Sequence, residues 1–488
     1  MHPATPGTHH LGCAELARRI AAGAISSRAL LEQCLTRIAR FNPVLNAVVL
    51  LRADEARVRA DQADAALRKG TSWGPLHGVP VTIKECIDWR GTPSTFGRME
   101  RRTHAAAEDA VAVQRLIAAG AIVIGKTNVP VDLADWQTFN PVYGATLNPW
   151  EASRSPGGSS GGAAVALACG FSALELGSDL SGSIRMPSHF CGVYGHKPTF
   201  GIVPVLGHAP EAGLPPDDIN VVGPLARSAE DLELALRLLA APHGPQARAW
   251  GLVLPEAEIA SIGDYRVAVI TNDPAFPVDR DTRRTALEVA DTLRRAGAAV
   301  TLDPALPFSS RDAYEAHIAL ARASSSFRRS VAEVEQLAPK AATFVTEDHG
   351  YEALMLRGLT QSHRLWLENN AKRQHMRAAW ESFFGDFDVL IAPVSPTPAF
   401  PLMHTVPKPE QTLMVDGVAR PNADTYFWIG LASVSYLPST TVPAGRSFGG
   451  LPIGMQIIGP EYADLRCIAL ARHLERLHRG FTPPAEYA

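Results

Sequence analysis

The sequence predicts an α/β protein with one large domain, built on a mixed, mainly parallel β-sheet that helices cover on both faces. Two observations support this prediction. Hydrophobic residues make up 46% of the 488 residues, enough for a large core. Short β-branched segments also alternate with segments of helical periodicity, a pattern typical of mainly parallel sheets. A chain of this length can hold two to four average domains, although large α/β enzymes often form one.

The first half of the chain begins with helices and then alternates. Apolar residues at helical spacing predict helices within residues 12–68, with Ser26 or Ser27 as a cap and Pro43 as a stop. The strands predicted after them cover residues 79–83, 121–125 and 172–176. The helices predicted between these strands cover residues 111–119 and 161–169.

The second half repeats the alternation around a helical insertion. The predicted strands cover residues 265–270, 298–302, 388–392 and 453–457, and a helix covers 281–296. We therefore divide the chain into an N-terminal helical segment (1–70), a core (71–245) and a part that completes the sheet (246–488). Residues 310–385 form a variable helical insertion within this last part.

Composition excludes several classes of function. The net charge is only −3 and no block of like charge occurs, so neither nucleic acid nor an anionic membrane is an expected partner. The N-terminus lacks a signal-peptide pattern, and the longest apolar stretch, 161–174, is too short to span a bilayer. Six cysteines without CxxC spacing indicate free thiols in the cytoplasm rather than disulfides or a zinc site. We expect no metal and no cofactor.

Lys84 directly follows the predicted strand 79–83 and is the last residue of this strand-like run. A lysine at the end of a buried strand must find a counter-ion or lose its proton. Lowering its pKa from ~10.4 to near 7 costs about 4–5 kcal/mol, which burial can impose. The neutral amine is then a base. The alternative is an edge lysine whose ammonium extends to water.

Two glycine–serine clusters follow, at residues 157–162 and 177–185. The first is not a phosphate-binding loop, because Ala163 and Ala164 follow it in place of Lys-Ser/Thr. It matches a Gly-x-Ser-x-Gly nucleophile elbow centred on Ser159 or Ser160, which requires a downstream acid and histidine, or it is a flexible loop. The second cluster returns to the same sheet edge, where its N–H groups can form an oxyanion hole.

Lys84, the block 155–162 and the block 177–187 together resemble the amidase signature family of serine hydrolases. The flanking blocks agree with this resemblance over most of the chain, most strongly over 74–230. They are residues 74–80 (Gly-Pro-Leu-His-Gly-Val-Pro), 125–128 (Gly-Lys-Thr-Asn), 148–150 (Asn-Pro-Trp), 190–192 (Phe-Cys-Gly), 197–199 (Lys-Pro-Thr), 223–228 (Gly-Pro-Leu-Ala-Arg-Ser) and 450–454 (Gly-Leu-Pro-Ile-Gly).

The resemblance implies the amidase signature fold and a Ser–cis-Ser–Lys triad. Ser183 would be the nucleophile, Ser159 the bridging serine on an unusual cis peptide, and Lys84 the base, with Ser160 a structural hydroxyl. The N–H groups implied to form the oxyanion hole belong to Leu180, Ser181, Gly182 and Ser183.

The chain departs from the family at Ser181, where a glycine is usual. We expect an altered acyl-pocket shape rather than lost activity, because Ser181 keeps its N–H. Asp179 and Arg185 are expected to brace the loops. His77 and His196 lie in motif blocks, and we expect structural roles for both.

The resulting function is an amidase that hydrolyses linear carboxamides of small-molecule substrates, with possible activity on anilides, esters or carbamates. The alternative is the glutamine-hydrolysing subunit of a tRNA-dependent amidotransferase. We expect a monomer or a homodimer. The segments expected to line the substrate pockets are 136–143, the 205–220 loop, the 310–385 insertion and the aromatic cluster 426–428.

Overall fold

An eleven-stranded mixed sheet forms the centre of the protein in the computed structural model, which describes residues 8–209 and 217–488 except 258 and 260. Two short hairpins, within residues 139–145 and 412–421, lie outside this sheet. In chain order the strands are β1 Val48–Leu51, β2 Pro80–Lys84, β3 Ile122–Thr127, β4 Phe139–Asn140, β5 Gly144–Ala145, β6 Glu175–Asp179, β7 Tyr194–Lys197, β8 Val221–Ala226, β9 Arg266–Val269, β10 Ala299–Leu302, β11 Val389–Pro393, β12 Thr412–Val415, β13 Val418–Pro421, β14 Ser439–Arg446 and β15 Pro452–Ile458.

The strand order is β1-β3-β2-β6-β8-β7-β14-β15-β11-β9-β10, so strands from all three segments of the chain belong to one sheet. The predicted mixed sheet with helices around it is confirmed. The share of parallel strand pairs is smaller than expected, because parallel pairing is confined to β3–β2–β6 and β11–β9–β10. The strands between these groups, and β1 at the edge, pair antiparallel. The sequence had not indicated β7, β8 or β14, which build this antiparallel centre.

Fifteen α-helices are present in the described part of the chain. They are α1 Cys13–Ala21, α2 Ser27–Leu45, α3 Ala53–Arg68, α4 Val111–Ala118, α5 Gly161–Ala168, α6 Arg185–Cys191, α7 Ala229–Leu239, α8 Gln246–Ala249, α9 Arg280–Arg295, α10 Ser310–Ser326, α11 Val331–Ala341, α12 Tyr351–Thr360, α13 His363–Asp386, α14 Thr425–Ser433 and α15 Asp464–Leu477. Within the described residues, no helix is long and apolar enough to cross a membrane.

The ends of α2 show one correct and one wrong prediction. Ser26 caps the helix, since its side chain accepts the Ala29 N–H at 3.0 Å. Pro43 does not stop the helix but lies inside its last turn, and α2 continues to Leu45. The helix ends where Asn46 adopts left-handed φ/ψ and its N–H bonds to the Asn42 carbonyl. Residues 48–51, expected within a helical segment, instead form β1.

Helix α5 consists of small residues because it is buried along its whole length. A Cβ added at Gly162 would lie 2.3 Å from the Asn128 nitrogen, so a larger residue would force the helix away from the chain after β3. Since α5 begins directly after Ser160, its close packing fixes the preceding serines against the sheet.

The strands β2 and β6 are parallel neighbours, with Thr82 paired to Glu175 and Ile83 to Leu176. Their carboxyl ends therefore meet at one edge of the sheet. Lys84 is the last residue of β2, and the loop that carries Ser183 follows β6. The two halves of the predicted site are brought together by this register.

Candidate active site

Lys84 is fully buried, and its amine contacts serine oxygens. Its Nζ lies 2.7 Å from Ser159 Oγ, 2.9 Å from Ser178 Oγ and 3.4 Å from the Ser178 carbonyl. No carboxylate oxygen of a described residue lies within 4.0 Å of Nζ. Burial lowers the pKa of Lys84 to about 8, since removal from water disfavours the charged form. An appreciable fraction of this amine is therefore uncharged near neutral pH.

Two other lysines, Lys126 and Lys197, are also fully buried. Burial lowers their pKa to about 8 and about 7. Both donate to backbone carbonyls, and Lys126 also donates to Ser94. A lowered pKa thus does not distinguish Lys84 from the other buried lysines. Its contact with Ser159 Oγ does.

The glycine-rich loop is held in place by hydrogen bonds on both sides. The Ser155 hydroxyl donates to the Trp136 carbonyl at 2.7 Å and accepts the Gly157 N–H at 3.0 Å. Gly157 has φ 84°, and a Cβ there would lie 2.4 Å from the backbone of α6. The Gly158–Ser159 peptide bond is cis. Ser159 is fully buried with its hydroxyl directed at Lys84.

The loop after β6 is organised by the buried carboxylate of Asp179. It accepts the N–H groups of Gly182 (2.8 Å), Ile184 (3.1 Å) and Arg185 (3.3 Å). The Arg185 guanidinium also pairs with it at 3.0 and 3.1 Å. Burial acts to raise the pKa of Asp179, but Arg185 and these donors outweigh it and bring the pKa to about 2. The carboxylate therefore stays charged and fixes the loop.

The predicted oxyanion donors are not equivalent. The Gly182 N–H is already used by Asp179, so it does not point freely toward a ligand. Within the described residues, the N–H groups of Leu180, Ser181 and Ser183 have no hydrogen-bond acceptor. Gly182 has φ 84°, and a Cβ there would lie 2.9 Å from Ile429. A glycine is needed at this position to turn the loop.

Ser183 borders a surface cavity, whereas Ser159 and Ser160 are fully buried. The Ser183 carbonyl accepts the Ser160 N–H at 3.1 Å, which joins the two glycine–serine clusters. The Ser160 hydroxyl donates to the Ser178 carbonyl at 3.4 Å. The Ser183 hydroxyl makes no hydrogen bond to a described atom, and none joins it to Ser159. Catalytic hydrogen bonds are often longer in free enzymes than in substrate complexes.

A histidine that the sequence did not single out lies behind Lys84. His208 Nε2 lies 2.9 Å from Ser178 Oγ, and its Nδ1 lies 3.2 Å from the Asn220 amide nitrogen. Burial holds the pKa of His208 well below its usual range, with the charge on Arg328 acting in the same direction. His208 is therefore neutral. It lies in a Pro- and Gly-rich loop, and no motif marked it.

Ser181, which stands where the family usually has a glycine, makes contacts of its own. The Ser181 hydroxyl lies 3.1 Å from Nε2 of His317 in α10, and its carbonyl accepts the indole N–H of Trp136 at 2.9 Å. The Ser181 side chain thus ties the loop of Ser183 to the helical insertion.

The cavity beside Ser183 draws on most of the segments expected to line it. Trp136 and Tyr426 border it, together with two residues of the insertion, Arg322 in α10 and Arg328 in the turn after that helix. Phe427 and Trp428 do not, because both are fully buried in the core. Of the 205–220 loop, residues 210–216 lie outside the described residues.

Neither histidine of the motif blocks contacts the site. His77 bonds to the Trp73 N–H and the Ala63 carbonyl. His196 bonds to Thr440 and to the carboxylate of Asp464. In the part of the chain that the structure describes, no histidine bonds to Ser159, Ser160 or Ser183, so the nucleophile-elbow interpretation lacks its base. The described residues also contain no group of three or more His, Cys, Asp or Glu able to hold a metal.

Comparison with known proteins gives consistent matches. The Amidase family model matches residues 29–468. One subunit of the glutamyl-tRNA(Gln) amidotransferase of Prochlorococcus marinus (strain MIT 9303) is 31% identical, over 96% of this chain and 97% of its own length. Indoleacetamide hydrolase of Bradyrhizobium diazoefficiens is 32% identical, over 94% of this chain and 85% of that protein.

Solved structures agree with these sequence matches. A bacterial aryl acylamidase of the amidase signature enzymes superposes with a TM-score of 0.80 at 25% identity, and the match covers 98% of both chains. These three proteins are two hydrolases and one amidotransferase subunit.

Proposed function

This chain belongs to the amidase signature family of amide hydrolases, and we propose that it hydrolyses carboxamides through an acyl-enzyme on Ser183. Ser159 and Lys84 form the proton relay. The observation that carries the proposal is the 2.7 Å contact between Lys84 Nζ and Ser159 Oγ, made by a buried amine with no carboxylate near it in the described residues. An amine that lacks a counter-ion can accept a proton.

In the first step the uncharged Lys84 amine takes the Ser159 hydroxyl proton, and Ser159 takes the proton of Ser183 as Ser183 Oγ attacks the amide carbon. The substrate carbonyl oxygen becomes an oxyanion. We assign its stabilisation to the N–H groups of Leu180, Ser181 and Ser183, each such donor typically contributing about 3–4 kcal/mol. The Gly182 N–H holds the loop through Asp179 instead.

In the second step the relay runs backwards and delivers a proton to the leaving nitrogen as the C–N bond breaks. Amines leave poorly until they are protonated, so a relay that returns the proton suits amide cleavage. Water then attacks the ester on Ser183 by the same route and releases the acid. Anilides, esters and carbamates would follow the same acyl-enzyme route, and we propose them as additional substrates.

A second candidate is the glutamine-hydrolysing subunit of a tRNA-dependent amidotransferase, which the 31% identity to a component of such an enzyme favours. The two functions differ in their dependence on partners. Hydrolysis of simple amides by the purified chain alone would favour the amidase. Glutamine hydrolysis that appears only with co-purified subunits would favour the amidotransferase.

We further propose a cytoplasmic enzyme that acts as a monomer or homodimer on a small-molecule amide. Free, buried cysteines are typical of a reducing compartment, and all six cysteines are of this kind. The division into segments 1–70, 71–245 and 246–488 stays a proposal about how the chain is organised.

The test is active-site labelling combined with a substrate panel. A fluorophosphonate should modify Ser183, located by peptide mass spectrometry, and Ser183→Ala should remove the label. Hydrolysis of aliphatic amides, p-nitroanilides and aryl carbamates should disappear in the same variant. Labelling at Ser160, or undiminished hydrolysis by folded Ser183→Ala, would contradict the proposal.

A further inference from the structure

The cavity beside Ser183 has more cationic than anionic side chains on its border. The cations are Arg322, Arg328 and Lys408, and the carboxylates are Asp132 and Asp135. Arginine cannot be deprotonated in proteins, so the charges on Arg322 and Arg328 persist at every working pH. The side chains around this cavity therefore determine the charge of the ligand that fits.

Most of these charges have partners of opposite sign. Asp132 pairs with Arg98, Arg328 pairs with the carboxylate of Asp217, and Lys408 Nζ lies 3.9 Å from Asp135 Oδ1. Arg322 differs from the others. No carboxylate of a described residue lies within 4.0 Å of its guanidinium.

Neutral groups hold Arg322 in position. Its Nη2 donates to the Tyr351 hydroxyl at 2.7 Å and to the Tyr426 hydroxyl. Among the described residues, neither its buried Nε nor its Nη1 has a hydrogen-bond partner. A guanidinium that is partly removed from water and lacks a counter-charge is energetically unfavourable, and a ligand anion would offset that cost.

We propose that this cavity binds a carboxylate carried by the amide substrate, with Arg322 as the residue that pairs with it. The inference rests on the proposed amidase function and narrows its substrate class to amides with one anionic group. A guanidinium offers parallel N–H donors that match the two oxygens of a carboxylate. The orientation of Arg322 by two tyrosine hydroxyls prepares it for this pairing before substrate arrives.

The first experiment compares matched charged and neutral amides. The pairs are succinamate, glutaramate and adipamate against butanamide, pentanamide and hexanamide, and N-acetyl-4-aminobenzoate against 4-methylacetanilide. The wild-type enzyme should show a kcat/KM at least about tenfold higher for the charged member of one pair. Equal or lower values for the charged members of every pair would overturn the inference.

The second experiment uses Arg322→Gln. It should lower kcat/KM for the preferred charged amide by roughly 30-fold or more, and change that of its neutral partner by less than about threefold. Arg322→Lys should retain part of the preference. Arg311→Gln, an exposed arginine of the same helix, is the matched control and should change neither value. An equal loss on charged and neutral substrates would contradict a carboxylate site.

A binding measurement separates this inference from the proposed function. Calorimetry of Ser183→Ala with succinate, glutarate and adipate needs no turnover, and addition of Arg322→Gln should abolish the binding. If neutral amides are hydrolysed in a Ser183-dependent way but no dicarboxylate binds, the carboxylate site is wrong and the amidase stands. If a dicarboxylate binds through Arg322 but no amide is hydrolysed, the amidase is wrong and the anion site stands.

Discussion

Lys84 Nζ and Ser159 Oγ lie 2.7 Å apart although 75 residues separate them in the chain. The strand β2 delivers the amine and the glycine-rich loop before α5 delivers the hydroxyl. Neither side chain has access to solvent. Because this pair is enclosed, we expect activity to depend on the protonation state of Lys84.

The pH dependence of activity follows from burial of Lys84. Because its pKa is lowered to about 8 and the proposed base is the uncharged amine, kcat/KM should rise with pH up to about 8 and level off above it. Below that value each unit of acidification should cost about tenfold. Measuring kcat/KM against pH with a p-nitroanilide substrate tests this dependence. A flat profile from pH 6 to 9 would exclude Lys84 as the titrating base.

Removal of Ser183 or Lys84, two members of the proposed triad, should lower activity far more than removal of the neighbouring Ser160. Ser183→Ala and Lys84→Ala should each lower kcat by at least ~10³-fold, since relay members act as a unit. Ser160→Ala is the matched control, because within the described residues its hydroxyl makes only a 3.4 Å bond to a carbonyl, and the change should lower kcat less than ~10-fold. Similar losses in all three folded variants would argue against the assignment.

His208 should act on the reaction through Ser178. The Asn220 amide donates to Nδ1, so Nε2 carries the proton and donates to Ser178 Oγ. The Ser178 hydroxyl proton can then point to Lys84, which favours the uncharged amine. His208→Leu removes this donor, so the pKa of Lys84 should rise and the pH profile should shift upward by about half a unit to one unit.

The matched variants for this prediction are His208→Gln and His77→Gln. Glutamine can donate to Ser178 from a similar position, so His208→Gln should restore most of the original profile. His77 bonds to backbone atoms away from the site, and its replacement should leave the profile unchanged. A His208→Leu enzyme that is slower at every pH, without a shifted profile, would indicate a purely structural role.

Ser181→Gly should preserve catalysis and change substrate binding. The backbone N–H survives, so kcat should stay within about threefold, while loss of the 3.1 Å bond to His317 should cost about 0.5–1.5 kcal/mol of folding stability. KM across the amide panel and the midpoint of urea unfolding measure the two effects. A collapse of kcat with unchanged KM values would show that the hydroxyl itself takes part in the reaction.

Asp179→Asn should strongly destabilise the protein. It leaves the buried Arg185 guanidinium without its counter-charge, and breaking such a pair typically costs about 3–5 kcal/mol. The control is Asp54→Asn, whose side chain is 98% exposed beside Arg57 and should cost less than about 1 kcal/mol. Urea unfolding compares the two, and equal losses would contradict the prediction.

The Asp179 carboxylate should also make the free energy of unfolding depend on pH. Its folded-state pKa of about 2 lies below the ordinary value of about 3.9, so its contribution is fully present above pH 4 and is lost as pH falls toward 2. The stability difference between wild type and Asp179→Asn should therefore shrink over that range. A difference that does not depend on pH would mean that the charge on Asp179 is unimportant.

Local patterns predicted the elements that carry the candidate site, whereas the roles of its residues came from the family resemblance. The apolar segment before Lys84 and the small-residue helix after Ser160 depend on short stretches of sequence, and both formed as expected. The convergence of Lys84 with the loop of Ser183 followed from two parallel strands ending at one edge. These features are encoded by neighbouring residues and by a general rule of sheet geometry.

Other features depend on partners far away in the chain. The strand β7 is only four residues long, and β8 contains Gly223 and Pro224, so neither has the composition of an isolated strand. Both are held by neighbours on each side. His208 and Arg322 gain their significance only from what the fold places beside them. Sequence patterns do not report such contacts.

The position of Arg185 has a consequence for how the protein is made. Besides Asp179, its guanidinium donates to the Ile429 carbonyl, Ser433 Oγ and Gln456 Oε1, all near the end of the chain. The strand β14, which lies between β7 and β15, also comes from this part of the chain. A nascent polypeptide therefore cannot complete the bracing of the loop that carries Ser183 until almost all of it has left the ribosome. A fragment that ends at residue 245 should fail to react with a fluorophosphonate, so incompletely synthesised chains would carry no hydrolytic activity.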